Sequence, residues 1–137
     1  VTEAFPAPVV EWSERYAVGI RVIDGQHRQM LDLVNRVLGS LGPGRELYEA
    51  LDALRDLLRA TEHHFVTEER LMDESGMAAE RHRAEHRRLI ESLRSFTDRL
   101  NAETVGECSA FLRDWLLHHI EEVDRPFAAS LRAHGTT

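Results

Sequence analysis

Five of the eight histidines fall on the apolar faces of helical segments, and those segments number four. A buried imidazole needs a partner for its polar nitrogens. One such histidine finds a carbonyl or hydroxyl without difficulty. Five on stripes that offer few Ser, Asn or Gln residues need something that satisfies them together, and a metal centre does so. The fold is constrained accordingly: four helices must pack so that these side chains converge.

Helical register identifies the five. The stretch His64-Phe65-Val66-Thr67-Glu68 sets an imidazole and a carboxylate four residues apart. In a helix they share one face, about 6 Å apart along the axis. His64 continues the stripe of Leu54, Leu57, Leu58 and Thr61, and Glu68 extends it. The adjacent His63 is rotated by about 100° and joins Asp56, Arg59 and Arg70 on a polar face. His27 opens the apolar face that continues through Met30, Leu31 and Val34. His82 and His86 lead into Leu89, Ile90 and Leu93. His119 follows Leu112, Trp115 and Leu116 on one face, whereas His118 sits with Asp114, Glu121 and Glu122, and His134 lies in a polar tail. Two acids share the neighbourhood: Glu68 by register, and Asp124 if the helix bends there.

The expected architecture is an all-α, up-down-up-down four-helix bundle spanning about 23–134, with an ordered N-terminal arm over 1–22, all in one domain of 137 residues. Pro6, Pro8 and Gly19 interrupt any helix in the arm, yet Phe5, Trp12, Tyr16, Val18 and Ile20 are too apolar for a disordered tail. Asp24 reads as the N-cap of the first helix, which carries His27, Met30, Leu31, Val34, Leu38 and Leu41 and ends at Gly39, Gly42, Pro43 and Gly44. The second runs from about Glu46 to Asp73, with Leu47, Leu51, Leu54, Leu57 and Leu58 on its apolar face. The third runs from about Ala78 to Leu100, with Leu89, Ile90, Leu93, Phe96 and Leu100 inside beside its two histidines. Thr104 caps the fourth, whose apolar residues are Val105, Phe111, Leu112, Trp115, Leu116, Ile120 and Val123. Pro126 cannot continue an interior helical ladder, so a kink or restart is expected near Asp124. No stretch shows sustained period-two alternation, which disfavours a sheet.

The net charge of −7 argues against nucleic acid as a partner. No apolar run approaches the ~20 residues of a membrane span, and the N-terminus lacks the pattern of a signal peptide. Cys108 is the single cysteine, which excludes an intramolecular disulfide and a cysteine-based metal site. A cytoplasmic protein without a membrane partner is expected.

Five nitrogens and two carboxylates are too many donors for one tetrahedral zinc. They suit two ions that share both carboxylates. With a third, solvent-derived bridge, one ion takes three histidines and three oxygens. The other takes two histidines and three oxygens and keeps a position open. Iron is favoured, because an asymmetric centre with a vacancy suits dioxygen chemistry; zinc and manganese are the alternatives.

These residues resemble the bacterial hemerythrins. The likeness is carried by Trp12, Tyr16-Ala-Val-Gly-Ile20, Ile23-Asp24-Gly25-Gln26-His27, His64-Phe65-Val66-Thr67-Glu68-Glu69, His82-x-x-x-His86 and Trp115-Leu116-Leu117-His118-His119-Ile120-x-x-x-Asp124, and it covers about 12–131. It implies a bundle around a non-haem di-iron site that binds dioxygen reversibly. His82, His86 and His119 would hold one iron, His27 and His64 the other, and Glu68 and Asp124 would bridge. Dioxygen would bind on the His27/His64 side. Many members carry a Tyr-Pro pair between the second and third helices, where this chain has Gly76-Met77-Ala78-Ala79 and is shorter by about one residue.

Function is then expected to be oxygen storage, delivery or sensing, with an apolar dioxygen pocket formed by Phe65, Trp115, Leu116 and Ile120 and no catalytic residue. An oxygen-consuming enzyme or a signalling protein would be the partner. The alternatives are a di-iron enzyme of the oxidase, peroxidase or nitric-oxide-consuming kind, and a redox signalling module. Ferritin-like enzymes use Glu-x-x-His motifs, and the sequence contains none.

Overall fold

A computed structural model describes residues 10–41 and 44–137. It contains a short 3-10 turn (Glu14–Tyr16), α1 (Arg21–Gly39), α2 (Leu47–Glu74), α3 (Glu80–Arg99), α4 (Val105–His119), a π-helical turn (Ile120–Asp124) and α5 (Arg125–Ala133). The last three follow without a break and form one fourth rod. The architecture is an all-α, up-down-up-down four-helix bundle with an N-terminal arm, and no strand occurs among the described residues.

Antiparallel order explains where the polar core sits. The early parts of α1 and α3 lie at the same end of the bundle as the late parts of α2 and of the fourth rod. His27, His82 and His86 come early in their helices; His64, Glu68, His119 and Asp124 come late. All seven are thus delivered to one end. The other end is filled by apolar side chains, among them Val34, Leu54, Leu57, Leu93, Cys108 and Leu112, all buried. Burying a side chain as large as Leu contributes about 1.5–3 kcal/mol, so this end supplies much of the stability that the polar end does not.

In the described part of the arm, the backbone N–H and carbonyl of Val10 exchange two hydrogen bonds of 2.8 Å with the Asn35 side-chain amide on α1. Trp12 stacks under Arg28 and packs near Tyr16. Arg125 donates to the Ala17 and Arg15 carbonyls and so ties the arm to the fourth rod. The expected packing of Phe5 lies outside the described residues.

Several local expectations are corrected. Asp24 does not cap α1: the helix already begins at Arg21, after Ile20. Its carboxylate instead accepts the N–H groups of Val18 (2.7 Å) and Gly19 (3.2 Å) and pins the arm's last turn. Gly19 has a positive φ of 87°, which a glycine adopts without the steric penalty of a Cβ. On α2 the buried stripe begins with Ala50 and Ala53, while Leu47 is exposed and Leu51 half-buried. On α3 only His86, Leu93 and Phe96 are buried, with His82, Leu89, Ile90 and Leu100 half-buried. Thr104 stands at the N-cap of α4, but its hydroxyl takes the Asn101 N–H and donates to the Arg99 carbonyl instead of capping the helix.

The altered turn has a defined form. Met77 N–H reaches back to the Met72 carbonyl (2.9 Å), Gly76 N–H to that of Asp73 (3.2 Å), and Gly76 has φ 70°. This is a Schellman stop. It delays α3 to Glu80, two residues later than expected.

Candidate metal centre

The end of the fourth rod decides whether Asp124 can reach the histidines. In an α-helix, five residues rotate a side chain by about 500°, or about 140° away from the starting face. His119 and Asp124 would then point apart. Here Ile120–Asp124 forms a π turn, and Arg125 N–H bonds to the Ile120 carbonyl, five residues back. That spacing stacks residue i over i+5. Asp124 Oδ1 accordingly lies 3.2 Å from His119 Nε2. Pro126 stands in the first turn of α5; lacking an N–H, it cannot carry the helical ladder across the joint, and the widened turn falls just before it. The expected kink is therefore a widened turn with a purpose.

Seven side chains meet at this end. His27, His64, Glu68, His86, His119 and Asp124 are buried; His82 is half-buried. Asp124 Oδ2 faces His27 Nε2 at 2.7 Å and His64 Nε2 at 3.2 Å. Its other oxygen faces His119 and, at 3.7 Å, His82. Glu68 divides in the same way. Oε2 lies 3.3 Å from His64 Nε2, and Oε1 lies 3.1 Å from His86 Nε2 and 3.4 Å from His82 Nε2. Each carboxylate thus divides its oxygens between two sides: Glu68 faces His64 with one and His82 and His86 with the other, and Asp124 faces His27 and His64 with one and His82 and His119 with the other.

Some of these contacts are hydrogen bonds, such as His27 to Asp124 and His86 to Glu68, but they do not satisfy every polar atom of the cluster. Glu68 Oε2, Asp124 Oδ1 and His119 Nε2 are buried with no hydrogen-bond partner, although donor and acceptor atoms lie close by. Orphaned buried atoms of this kind are expensive. Their arrangement makes sense if their lone pairs point at a common third body. Two groups have the compactness an ion needs: His27, His64, Glu68 and Asp124, and Glu68, His86 and His119. The donor set of imidazole and carboxylate suits iron among other transition metals.

Contacts outside the cluster fix which ring nitrogen faces inward. The Thr67 hydroxyl donates to the His63 carbonyl (3.1 Å), so its oxygen accepts from Gln26 Nε2 (2.9 Å). That orients the Gln26 amide, whose oxygen receives His64 Nδ1–H at 2.8 Å. His86 Nδ1–H donates to Glu69 Oε2, also at 2.8 Å. In both rings the proton is held on Nδ1 and the Nε2 lone pair is free to ligate a metal. Register reasoning missed Gln26 and Glu69. Glu69 lies beside Glu68 but off the inner face of its own helix, and only the approach of α3 brings His86 to it.

His63, His118 and His134 are exposed, as expected. Phe65 stacks flat on His86, with ring centroids 3.7 Å apart, and lies 5.6 Å from His64 and 5.4 Å from His119. Leu116 and Ile120 are buried on the same rod as His119. Trp115 and His119 line a groove of about 690 Å³ between α3 and α4, whereas Phe65 and His86 line another on the α2/α3 side.

Without a metal, the buried carboxylates hold protons on nearby imidazoles. Burial alone would lower His64, but Glu68 and Asp124 raise it to about 10. The same opposition leaves His82 at about 9. Burial pushes His27 down. Burial and the Asp124 charge work to raise Glu68, yet His64 and His82 hold it at about 2. Asp124 is held well below the usual carboxylate range by His119, His27 and His64, against its burial.

Raised histidines stabilise the fold in full below their unfolded value of about 6.5, and that stabilisation is lost as pH rises through 9 to 10. Thermal melts of chelator-treated protein should therefore fall between pH 7 and 10. Metal-loaded protein, whose ligands carry no such protons, should lose less over the same range. Equal pH profiles for the two forms would contradict the assignment of these protons.

Fold and site together define a metal-binding helical bundle of the histidine–carboxylate kind. Residues 18–130 match the Hemerythrin HHE cation binding domain. The chain belongs to the hemerythrin family. It is 31% identical over 124 residues to a bacteriohemerythrin of Pseudomonas paraeruginosa, covering 88% of this chain and 80% of that one. It is equally similar, at 31%, to a bacteriohemerythrin of Methylococcus capsulatus (86% and 92% covered). A myohemerythrin of Riftia pachyptila is 25% identical over 127 residues, covering 92% and 96%. A crystal structure of a hemerythrin point mutant shares the fold, with a TM-score of 0.76 at 24% identity over 90% of this chain and 97% of that one. Among the described residues, no helix is long and apolar enough to cross a membrane.

Proposed function

We propose that this chain binds dioxygen reversibly at a non-haem di-iron centre, for storage, delivery or sensing, and does not turn it over. One observation carries the reading: Glu68 and Asp124 each divide their two oxygens between the same two sets of imidazoles. A carboxylate so placed spans two ions. His27 and His64 would hold one iron, and His82, His86 and His119 the other, with Glu68 and Asp124 bridging. Bound there, the two irons would supply the electrons with which dioxygen is taken up and given back.

The chain's own side chains do the rest. Gln26 and Glu69 hold their histidines in the tautomer that presents Nε2. Phe65, Trp115, Leu116 and Ile120 are buried and would form the apolar lining that keeps water from the bound oxygen. None of these four carries an acidic proton to drive turnover, which favours binding over catalysis. The bacteriohemerythrin and myohemerythrin relatives support the same reading. A cytoplasmic location fits the single reduced thiol of Cys108, with an oxygen-consuming enzyme or a signalling protein as the recipient.

The test is iron loading without oxygen, metal analysis, then cycles of oxygen addition and removal under a visible spectrometer. Two irons per chain and an oxygen-dependent band that disappears on removal are expected. A band that persists after removal, or steady-state consumption of peroxide or nitric oxide, would instead make the protein an enzyme.

A further inference from the structure

We propose that Glu69 makes the two halves of the centre electronically unequal, by placing a negative charge behind His86 where His64 has only a neutral amide. This rests on the ligand roles assigned above.

The two histidines are held in parallel ways by chemically different partners. His64 Nδ1–H donates to the Gln26 amide oxygen at 2.8 Å, and His86 Nδ1–H donates to the Glu69 carboxylate at the same distance. A hydrogen bond to a carboxylate is charge-assisted and draws the proton more strongly. The imidazole behind it becomes a more electron-rich donor at Nε2. Glu69 is itself fixed. Arg83 Nε donates to its other oxygen at 3.1 Å, and the same guanidinium is clasped by both oxygens of Asp73 at 2.8 and 3.0 Å. The chain Asp73–Arg83–Glu69–His86 runs from the surface to the three-histidine side. His27 Nδ1 and His119 Nδ1 are buried without a partner. Among the described residues, Glu69 is thus the one charged group bonded to the outer nitrogen of a clustered histidine.

Charge balance gives this placement weight. Two divalent ions bring four positive charges, and Glu68 and Asp124 offset two of them. Glu69 adds a third negative charge at one end only, because the Arg83 cation that holds it is itself balanced by Asp73. It therefore favours the higher oxidation state of the ion on the His82/His86/His119 side, and leaves the His27/His64 side as the more easily reduced. Glu69 is a positioning residue in this scheme; it touches neither metal nor oxygen.

The experiment compares wild type, Glu69→Gln, Glu69→Ala and Gln26→Glu by reduction potential in a spectroelectrochemical titration and by metal retention against a chelator. The Glu69 side chain is partly exposed, and thermal melts of the metal-free forms verify folding. Glu69→Gln keeps a hydrogen bond and removes the charge. It should shift the redox equilibrium about tenfold toward the reduced state, or about 59 mV for one electron. Metal should be held about 10–100-fold less tightly. Gln26→Glu should shift the potential the opposite way. If Glu69→Gln behaves as wild type while Glu69→Ala shifts, Glu69 only orients His86 and the proposal is overturned. If both Glu69 variants match a wild type that binds two irons, it is likewise overturned while the di-iron reading stands. A wild type that binds fewer than two ions overturns both.

Discussion

Replacing Asp124 with Asn should strip metal from both positions at once. The substitution keeps the shape and removes the charge. Asp124 Oδ2 is within 2.7 Å of His27 and 3.2 Å of His64, and Oδ1 is 3.2 Å from His119. An amide presents one oxygen and one NH2, so whichever way it turns, one of the two ion positions faces an NH2 that has no lone pair to offer it. Loss of an outer hydrogen-bond partner lowers metal affinity about 10–100-fold. Loss of a ligand shared by two ions should exceed ~100-fold at each. Iron per chain after chelator challenge measures it. The metal-free variant should also show a flatter decline in stability from pH 7 to 10. The carboxylate that helps raise His64 and His82 is then gone. Wild-type iron content in Asp124→Asn would remove this residue from the ligand set.

Phe65→Ala should be the most destabilising single change near the site. Phe65 is buried and stacks face to face on His86. Truncating a buried aromatic costs about 3–5 kcal/mol, because the surrounding structure closes only part of the cavity. Denaturant unfolding of the metal-free protein reads this directly. The cavity would open against three imidazoles, those of His64, His86 and His119. Water reaching it should shorten the lifetime of the oxygen-dependent band in the iron-loaded protein. Phe65→Leu fills most of the volume and should restore much of both properties. A variant with Ala at 65 that keeps its stability and its band would show that Phe65 neither packs nor shields the centre.

Much of the fold was legible because helix periodicity is a local property. Register along single helices separated His64 from His63 and His119 from His118, and the structure places them as register requires. It succeeded because a helix advances by a fixed angle per residue, so the inner face follows from the spacing of the apolar side chains. The same reasoning failed where packing chose between two candidate faces. Leu47 and Leu51 looked more apolar than Ala50 and Ala53, yet it is the alanines that are buried. Asp24 looked like an N-cap, because a sequence cannot show that the chain behind it folds back for its carboxylate to hold.

For the centre, the sequence by itself determined which histidines and which glutamate point inward, and that four helices must deliver them to one place. The tertiary structure decided three further things. Asp124 joins the cluster only because a π turn adds one residue to the loop of backbone between it and His119. The pairing of carboxylate oxygens with two sets of imidazoles depends on how four separate helices are rotated and spaced. The charge behind His86 and the neutral amide behind His64 come from Glu69 and Gln26, each on a different helix from the ring it holds. Contacts across helices are set by packing of the whole bundle, and no spacing within one segment encodes them.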